Sequence, residues 1–296
     1  QLVKKSHLEC GFARRPSLYL AATPDHVLRL EKEFSARKAA GLAVDWWPRR
    51  RLRDESSLPH ATALCSRGAA ELDSYRLAYG LLLNAQSRGA RIHDRTEVTA
   101  RKLRARGVEL STSRGARVRA KCLIVASGYE AESFLPKRLG SLHSTFAFAT
   151  EPVAEFSGWP VSRCLIWDSG DPYLYLRTTP DNRVIMGGYD EPFRDPRTRD
   201  RLLPAKITAL KRRFRQFFPR IPLEIASGWA GTFGITVDGL PYIGQHPAVP
   251  HTWFVLGFGG NGTTFSVIAA EMIRDALLGR ADPDSDIFGF QRAGIF

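Results

Sequence analysis

Near the C-terminus the run Gly257-Phe258-Gly259-Gly260-Asn261-Gly262 has G-x-G-x-x-G spacing and stands between a strand pattern and a helix pattern. Taken alone, that spacing suits a dinucleotide pyrophosphate resting on a helix N-terminus, with glycines that let the ligand approach the backbone. The residues after Gly262 do not complete such a unit, because no second strand ending in an acidic residue follows the helix. What survives is a backbone device. Free N–H groups around Gly262, Thr263 and Thr264 carry partial positive charge and face whatever enters the glycine turn. A carbonyl oxygen or an anionic ring edge would suit them, and an ordinary glycine-rich helix start is the competing reading.

Two further segments have the same character. Residues 231–244 form a turn-rich stretch of small residues that ends on the short apolar strand Tyr242-Ile243-Gly244. Val125-Ala126-Ser127-Gly128-Tyr129 places small residues at the end of an apolar strand, which is where open α/β sheets bind ligands.

Positioning these segments requires a definite set of elements. Residues 11–22 read as a strand, and residues 24–40 as an amphipathic helix with Thr23 as N-cap and Gly41 as the stop. Residues 46–67 read as irregular. A second helix spans residues 72–88 and carries Tyr75, Leu77, Ala78, Leu81, Leu82 and Ala85 inward. Short strands are expected at residues 90–93 and 97–104, then a hairpin of residues 108–113 and 117–121 around Arg114-Gly115. The continuous apolar run at residues 122–126 suits a parallel strand covered on both faces. Consecutive strands at residues 143–150, 164–168, 173–178 and 183–188 have no helices between them and imply an antiparallel sheet. Helices at residues 203–218 and 263–278 flank strands at residues 226–233 and 253–256.

Composition narrows the class. The 296 residues are 44% hydrophobic and 10% aromatic, enough for a substantial core and against disorder or low complexity. Net charge is +13, and 34 of the 43 basic residues are Arg, with short runs at residues 49–53 and 211–215. Such a balance could serve nucleic acid or an anionic surface, but neither run sits in a nucleic-acid-binding module, so no nucleic-acid partner is expected. The cysteines Cys10, Cys65, Cys122 and Cys164 are too widely spaced for a metal site. Cys122 reads as a small buried hydrophobe, and the compartment as reducing cytoplasm. No stretch is long and apolar enough to span a membrane.

With these residues in place, the chain resembles the flavin-dependent amine and amino-acid oxidoreductases of the D-amino-acid oxidase, glycine oxidase and sarcosine oxidase group. The matching segments are residues 72–95, residues 122–129, and residues 173–188 with the pattern Y-x-Y-x-R…D-x-R-x-x-x-G-G. Residues 228–279 are the most specific, with T-x-D-G-x-P-x-I-G followed by G-x-x-G-N-G and a helix. The resemblance implies an α/β fold: an N-terminally incomplete, Rossmann-like FAD-binding domain (residues 68–140 and 226–296), interleaved with an antiparallel-sheet substrate domain (residues 1–67 and 141–225).

The resemblance also implies roles. Val98 would meet the adenine; Ala126, Ser127 and Gly128 would approach ribose and pyrophosphate; Gly231 and its neighbours would line the flavin ring. Gly259, Gly260, Asn261, Gly262, Thr263 and Thr264 would hold the flavin pyrimidine oxygen. Tyr173, Tyr175 and Arg177 would face a small amine or amino-acid substrate, oxidised by hydride transfer to FAD. Thr232 stands where the sarcosine oxidases attach flavin through a cysteine, which implies non-covalent FAD. Thr264 stands where those enzymes place a lysine for the substrate carboxylate. The family's opening strand, glycine motif and helix are not in this sequence, so the chain by itself is expected to bind FAD weakly. A hydroxy-acid dehydrogenase on the same fold, or a truncated, non-catalytic basic binding protein, are the alternatives.

Overall fold

The computed structural model describes residues 1–293. In chain order the elements are α1 (Leu2–Lys5), β1 (Ala13–Arg14), β2 (Ser17–Leu20), α2 (Val27–Ala39), β3 (Val44–Pro48), α3 (Arg49–Glu55), β4 (Thr62–Ser66), β5 (Ala70–Glu71) and α4 (Ser74–Ser87). There follow β6 (Val98–Arg104), β7 (Gly107–Thr112), β8 (Arg117–Ala120), β9 (Leu123–Val125), β10 (Gly140–Thr150), β11 (Leu165–Asp168), β12 (Leu174–Thr178), β13 (Val184–Pro192) and α5 (Pro196–Phe217). The last are β14 (Ile225–Thr236), β15 (Tyr242–Gln245), β16 (Thr252–Leu256), α6 (Gly262–Leu277) and α7 (Ser285–Phe288). Contacts divide the chain into two compact units: Gln1–Ala85 with Ser144–Gly231, and Gln86–His143 with the chain from Thr232 onward. Residues 68–85 and 226–231, which the resemblance assigned to the FAD-binding domain, cluster with the first unit, and residues 141–143 with the second.

The first unit is built on a mixed eight-stranded sheet of order β14-β10-β13-β12-β11-β2-β4-β3. β11 runs parallel to β2 and antiparallel to β12, and β12 is antiparallel to β13. Strand alternation sorts the side chains onto two faces. On one face, Leu18, Cys65, Phe146, Phe148, Ile166, Leu174, Leu176 and Met186 meet Leu210, Phe214 and Phe217 of α5 in the main core. α5 starts cleanly: Pro196 occupies its first turn, and Asp195 accepts the Thr198 amide at 2.9 Å. On the other face, Leu30 of α2 packs with Tyr19, Val44 and Leu64, and Tyr19 stacks on Trp167 with ring centroids 4.0 Å apart.

The second unit holds two three-stranded sheets, β15-β16-β9 and β6-β7-β8. β9 pairs in parallel with β16, with Val125 opposite Phe254, while β15 is antiparallel to β16. Ala269, Met272 and Ile273 of α6 cover Ile243 and Val255 on one face. Phe254 and Leu256, alternate residues of β16, point to the opposite core with Val125, Tyr242 and Phe290.

Several expectations change. Residues 46–67, read as irregular, contain most of β3, all of α3 and β4; Trp47 and Leu52 are fully buried there, and packing rather than turn residues decides the structure. Residues 90–93 form no strand, and Ile92 is exposed. A short run becomes a strand only when a neighbour takes its hydrogen bonds. β9 is parallel as expected but not covered on both faces, since Ile124 is 45% exposed; Cys122 is partly exposed rather than buried. On α4 only Leu77 is buried, whereas Tyr75 and Leu82, assigned inward by spacing, are exposed. Thr23 leads into a 3-10 turn and makes no side-chain cap bond.

His60 sits in the first unit, edge-on to the Phe217 ring at 4.9 Å, and neither ring nitrogen has a hydrogen-bond partner among the described residues. Burial, with Arg213 adding to it, pulls its pKa from 6.5 down to about 4. The unfolded chain therefore takes up a proton over an interval where the folded chain refuses one, and stability falls on acidification through that interval. The full loss is about 3 kcal/mol. Denaturant melts from pH 7 to about pH 4 should show this slope in the parent and a flatter one in His60→Leu; equal slopes would remove His60 as its source.

Candidate active site

Alternation along β12 buries Leu174, Leu176 and Thr178, the two leucines in the main core, and leaves Tyr175 and Arg177 half-buried on the opposite face. Tyr173 precedes the strand in the same phase, and its ring lies 5.8 Å from that of Tyr175. Asp168 fixes the loop before it: its Oδ1 accepts the amides of Gly170 at 3.1 Å and Leu174 at 2.9 Å. The Tyr175 hydroxyl lies 3.3 Å from Thr145 Oγ1 on β10. Gly187, opposite Tyr175 on β13, leaves the space that the tyrosine ring occupies; a Cβ there would collide with it. Gly231 belongs to the same neighbourhood: a Cβ there would meet the Thr145 methyl at 3.5 Å.

Burial pushes the Tyr173 phenol up to about 12, with Asp190 and then Tyr175 adding to it. Burial raises Tyr175 as well, partly offset by its bond to Thr145. Both hydroxyls therefore stay protonated near neutral pH and act as neutral hydrogen-bonding groups, not bases. Arg177 stands apart from the tyrosine pair. Its Nη1 reaches the Thr178 carbonyl at 3.5 Å, and its side chain lines a cavity of about 530 Å³ with Glu71, Asp73 and Asp181.

In the second unit the register of β9 against β16 carries the argument for a cofactor cradle. Because the strands run parallel, Ala126-Ser127-Gly128 and the turn from Gly257 leave the sheet side by side at its C-terminal edge. β14 brings up a third segment: the Gly259 amide donates to the Gly234 carbonyl at 3.1 Å. Gly128 and Gly259 have φ of +63° and +53°, a backbone region that disfavours side chains, and nothing occupies the space a Cβ would take. α6 begins at Gly262; its first internal bond runs from the Phe265 amide to the Asn261 carbonyl, so the amides of Gly262, Thr263 and Thr264 are free of the helix ladder. Asn261 supplies no side-chain cap. Gly260, Asn261, Thr263 and Thr264 are all exposed. Open, positive-φ glycines beside uncapped helix amides fit a flat ring with carbonyl edges, and a phosphate could use the same donors. Val98 stands exposed on the separate β6-β7-β8 sheet.

Sequence reasoning missed the groups that hold these segments in place: Asp168, Gly187 and, most of all, Arg292. Arg292 Nε donates to Asp238 Oδ2 at 2.7 Å, Nη2 to Oδ1 at 3.2 Å, and Nη1 to the Pro241 carbonyl at 2.9 Å. Its guanidinium also lies 3.9 Å from the Tyr242 ring centroid. Asp238 accepts the Leu240 amide as well, which closes the turn of the T-x-D-G-x-P-x-I-G segment. The pairing partner is 54 residues away, and no local signal marks it.

Comparison with known proteins bears on the fold and the family. The sequence profile of the FAD-dependent oxidoreductase family matches residues 1–276. Glycine oxidase of Geobacillus kaustophilus is 25% identical, over 98% of this chain and 76% of its own length. Gamma-glutamylputrescine oxidoreductase of Escherichia coli is 26% identical, over 95% of this chain and 65% of its own. The crystal structure of the Geobacillus kaustophilus glycine oxidase superposes with a TM-score of 0.81 at 20% identity, covering 98% of this chain and 78% of that one. The fold is therefore that of the flavin oxidoreductases, with sheets of mixed orientation. Among the described residues no helix is long and apolar enough to cross a membrane.

Arg292 holds the Asp238 carboxyl well below the usual range, at about 2. A carboxylate with a depressed folded-state pKa stabilises above its unfolded pKa and loses that contribution as pH falls through the folded value. Asp238→Asn should therefore lower the melting temperature near neutral pH, and the gap to the parent should narrow below about pH 4. A gap that stays constant down to about pH 2 would show that the ion pair is not its source.

Proposed function

Since the chain belongs to the family of FAD-dependent oxidoreductases, we propose that it serves the oxidation of an amine or amino acid, in which bound FAD accepts hydride from the carbon next to nitrogen. The observation that carries this reading is the parallel β9–β16 register, which sets two glycine turns and the free amides of α6 at one sheet edge. The names of the relatives, glycine oxidase and gamma-glutamylputrescine oxidoreductase, favour nitrogen-bearing substrates over hydroxy acids.

In this proposal the protein's own contribution is positioning. Gly259 to Thr264 present backbone donors to the flavin pyrimidine edge, Ala126 to Gly128 border the ribose and pyrophosphate, Gly231 lines the ring, and Val98 meets the adenine. Attachment is non-covalent, because Thr232 carries a hydroxyl and not a thiolate. Tyr173 and Tyr175, kept neutral by burial, offer hydroxyls to the substrate nitrogen or carboxyl, and Thr145 orients the second of them. Arg177 supplies the fixed positive charge. A substrate bound as the neutral amine needs no protein base, which accords with the absence of an ionised tyrosine. A cytoplasmic setting accords with four free cysteines, three of them buried.

The protein carrying this chain should purify yellow and release its flavin to the supernatant on acid precipitation; colour kept in the pellet would overturn non-covalent attachment. Anaerobic mixing with amines and amino acids should bleach the flavin, whereas bleaching by hydroxy acids alone would replace the proposal with a hydroxy-acid dehydrogenase. Gly262 has ordinary backbone geometry and only Phe258 near the site of a Cβ, at 3.8 Å, so a side chain there burdens the fold little. Gly262→Val should weaken FAD binding about tenfold or more while thermal stability of the apoprotein stays close to the parent. Equal losses in flavin titration and in the apoprotein melt would make Gly262 a structural residue only.

A further inference from the structure

Residues 98–121 hold eight Lys or Arg against a single carboxylate, Glu109, and so carry +7 of the chain's net +13. They form the antiparallel strands β6, β7 and β8, and register decides where the charges go. Lys102 stands opposite Glu109, and Glu109 opposite Arg119; Ala100, Ser111 and Arg117 make the next row, and Arg104 stands opposite Gly107. Strand alternation therefore gathers Lys102, Arg104, Arg117 and Arg119 on one face of the sheet. The other face carries Val108, Leu110 and Thr112, all buried. Arg106 and Arg114 sit in the two turns, at opposite ends of the sheet. All six basic residues are exposed. Glu109 accepts Arg104 at 3.1 Å and Arg119 at 3.0 Å, and one carboxylate cannot neutralise two guanidiniums. Lys102, Arg106, Arg114 and Arg117 have no ion pair among the described residues.

Neighbouring charges on this face lie ~5 Å apart between strands and ~7 Å apart along one, within the Debye length of about 8 Å at physiological salt, so they act as one positive field. Only Ala100, Gly107, Glu109 and Ser111 share the face with them. It therefore offers neither an aromatic platform on which bases stack nor the apolar centre of a protein interface. What it offers is charge, which suffices for a surface whose anions move laterally to meet it. We propose that this face docks on an anionic lipid bilayer as a peripheral contact, with lipid phosphates against Lys102, Arg104, Arg106, Arg117 and Arg119. A depression of about 420 Å³ beside the β6–β7 turn, whose wall includes Arg104, Arg106, Arg119 and Glu109, has room for one phosphate headgroup. Duplex phosphates could meet the same charges, so duplex DNA is the competing probe.

The test sediments the flavin-loaded protein with vesicles of phosphatidylcholine alone and of phosphatidylcholine with about one-third phosphatidylglycerol, at about 0.1 M and about 0.5 M salt. Binding is expected to the anionic vesicles only, and it should disappear at the higher salt. Each Lys or Arg near an anionic leaflet raises affinity about fivefold, so Lys102→Gln with Arg117→Gln should weaken vesicle binding ~25-fold. Arg212→Gln with Arg215→Gln, which removes two exposed charges from α5, should leave it within about threefold of the parent. Equal losses in the two paired variants would show a response to net charge alone and overturn the proposal. So would failure to bind anionic vesicles at the lower salt, or equal binding to phosphatidylcholine alone. Duplex DNA binding that the Lys102 and Arg117 changes abolish, in a protein that ignores the vesicles, would assign the face to nucleic acid and overturn the lipid reading.

Discussion

Hydrogen bonding between strands fixes which residues stand opposite one another, and in both units that register decides where reactive groups lie. In the first unit, burying Leu174 and Leu176 against α5 leaves Tyr175 and Arg177 no choice of side. A slip of one residue would put the tyrosine and arginine into the core and the leucines outside. The cost of that exchange, several large apolar side chains lost to water and a guanidinium buried, is what makes the face so firmly specified. In the second unit the parallel pairing of β9 with β16 sets two chain reversals beside each other. Neither turn alone would make more than an ordinary loop.

The two units use different chemistry for their tasks. Around β9 and β16 the useful groups are backbone amides, made reachable by residues with no side chain. Around β12 they are side chains whose protonation is set by burial: the phenols are held neutral and the guanidinium is permanently charged. Glycine matters on that side too, but as the hollow at Gly187 in which the Tyr175 ring rests.

Part of the arginine abundance goes into internal ties. Arg15 holds Glu71, Arg183 holds Glu151 and Asp181, and Arg292 holds the turn at Asp238. These planar, multiply donating groups join segments far apart in sequence, a task that suits guanidinium better than ammonium. Arg177 differs from them in having no ionic partner among the described residues; its Nη1 reaches only the Thr178 carbonyl.

The sequence by itself determined a good deal: the glycine turn before α6, the hairpin at Arg114-Gly115 and the consecutive strands β10 to β13. Each of these rests on local periodicity or on residues that need special backbone geometry, and both are written into short stretches of chain; the family was legible as well, but through resemblance of its motifs. Tertiary structure alone decided the rest. Residues 46–67 became β3, α3 and β4 because partners across the sheet accept their hydrogen bonds and bury Trp47 and Leu52. Residues 90–93, whose pattern does read as a strand, found no such partner and stayed irregular. The inward face of α4 could not be read from spacing, since spacing defines a stripe but not what covers it. Of the candidate site, residue types were legible, but Asp168, Gly187 and Arg292 were not. Their roles arise from contacts across space, and a sequence records separation along the chain only.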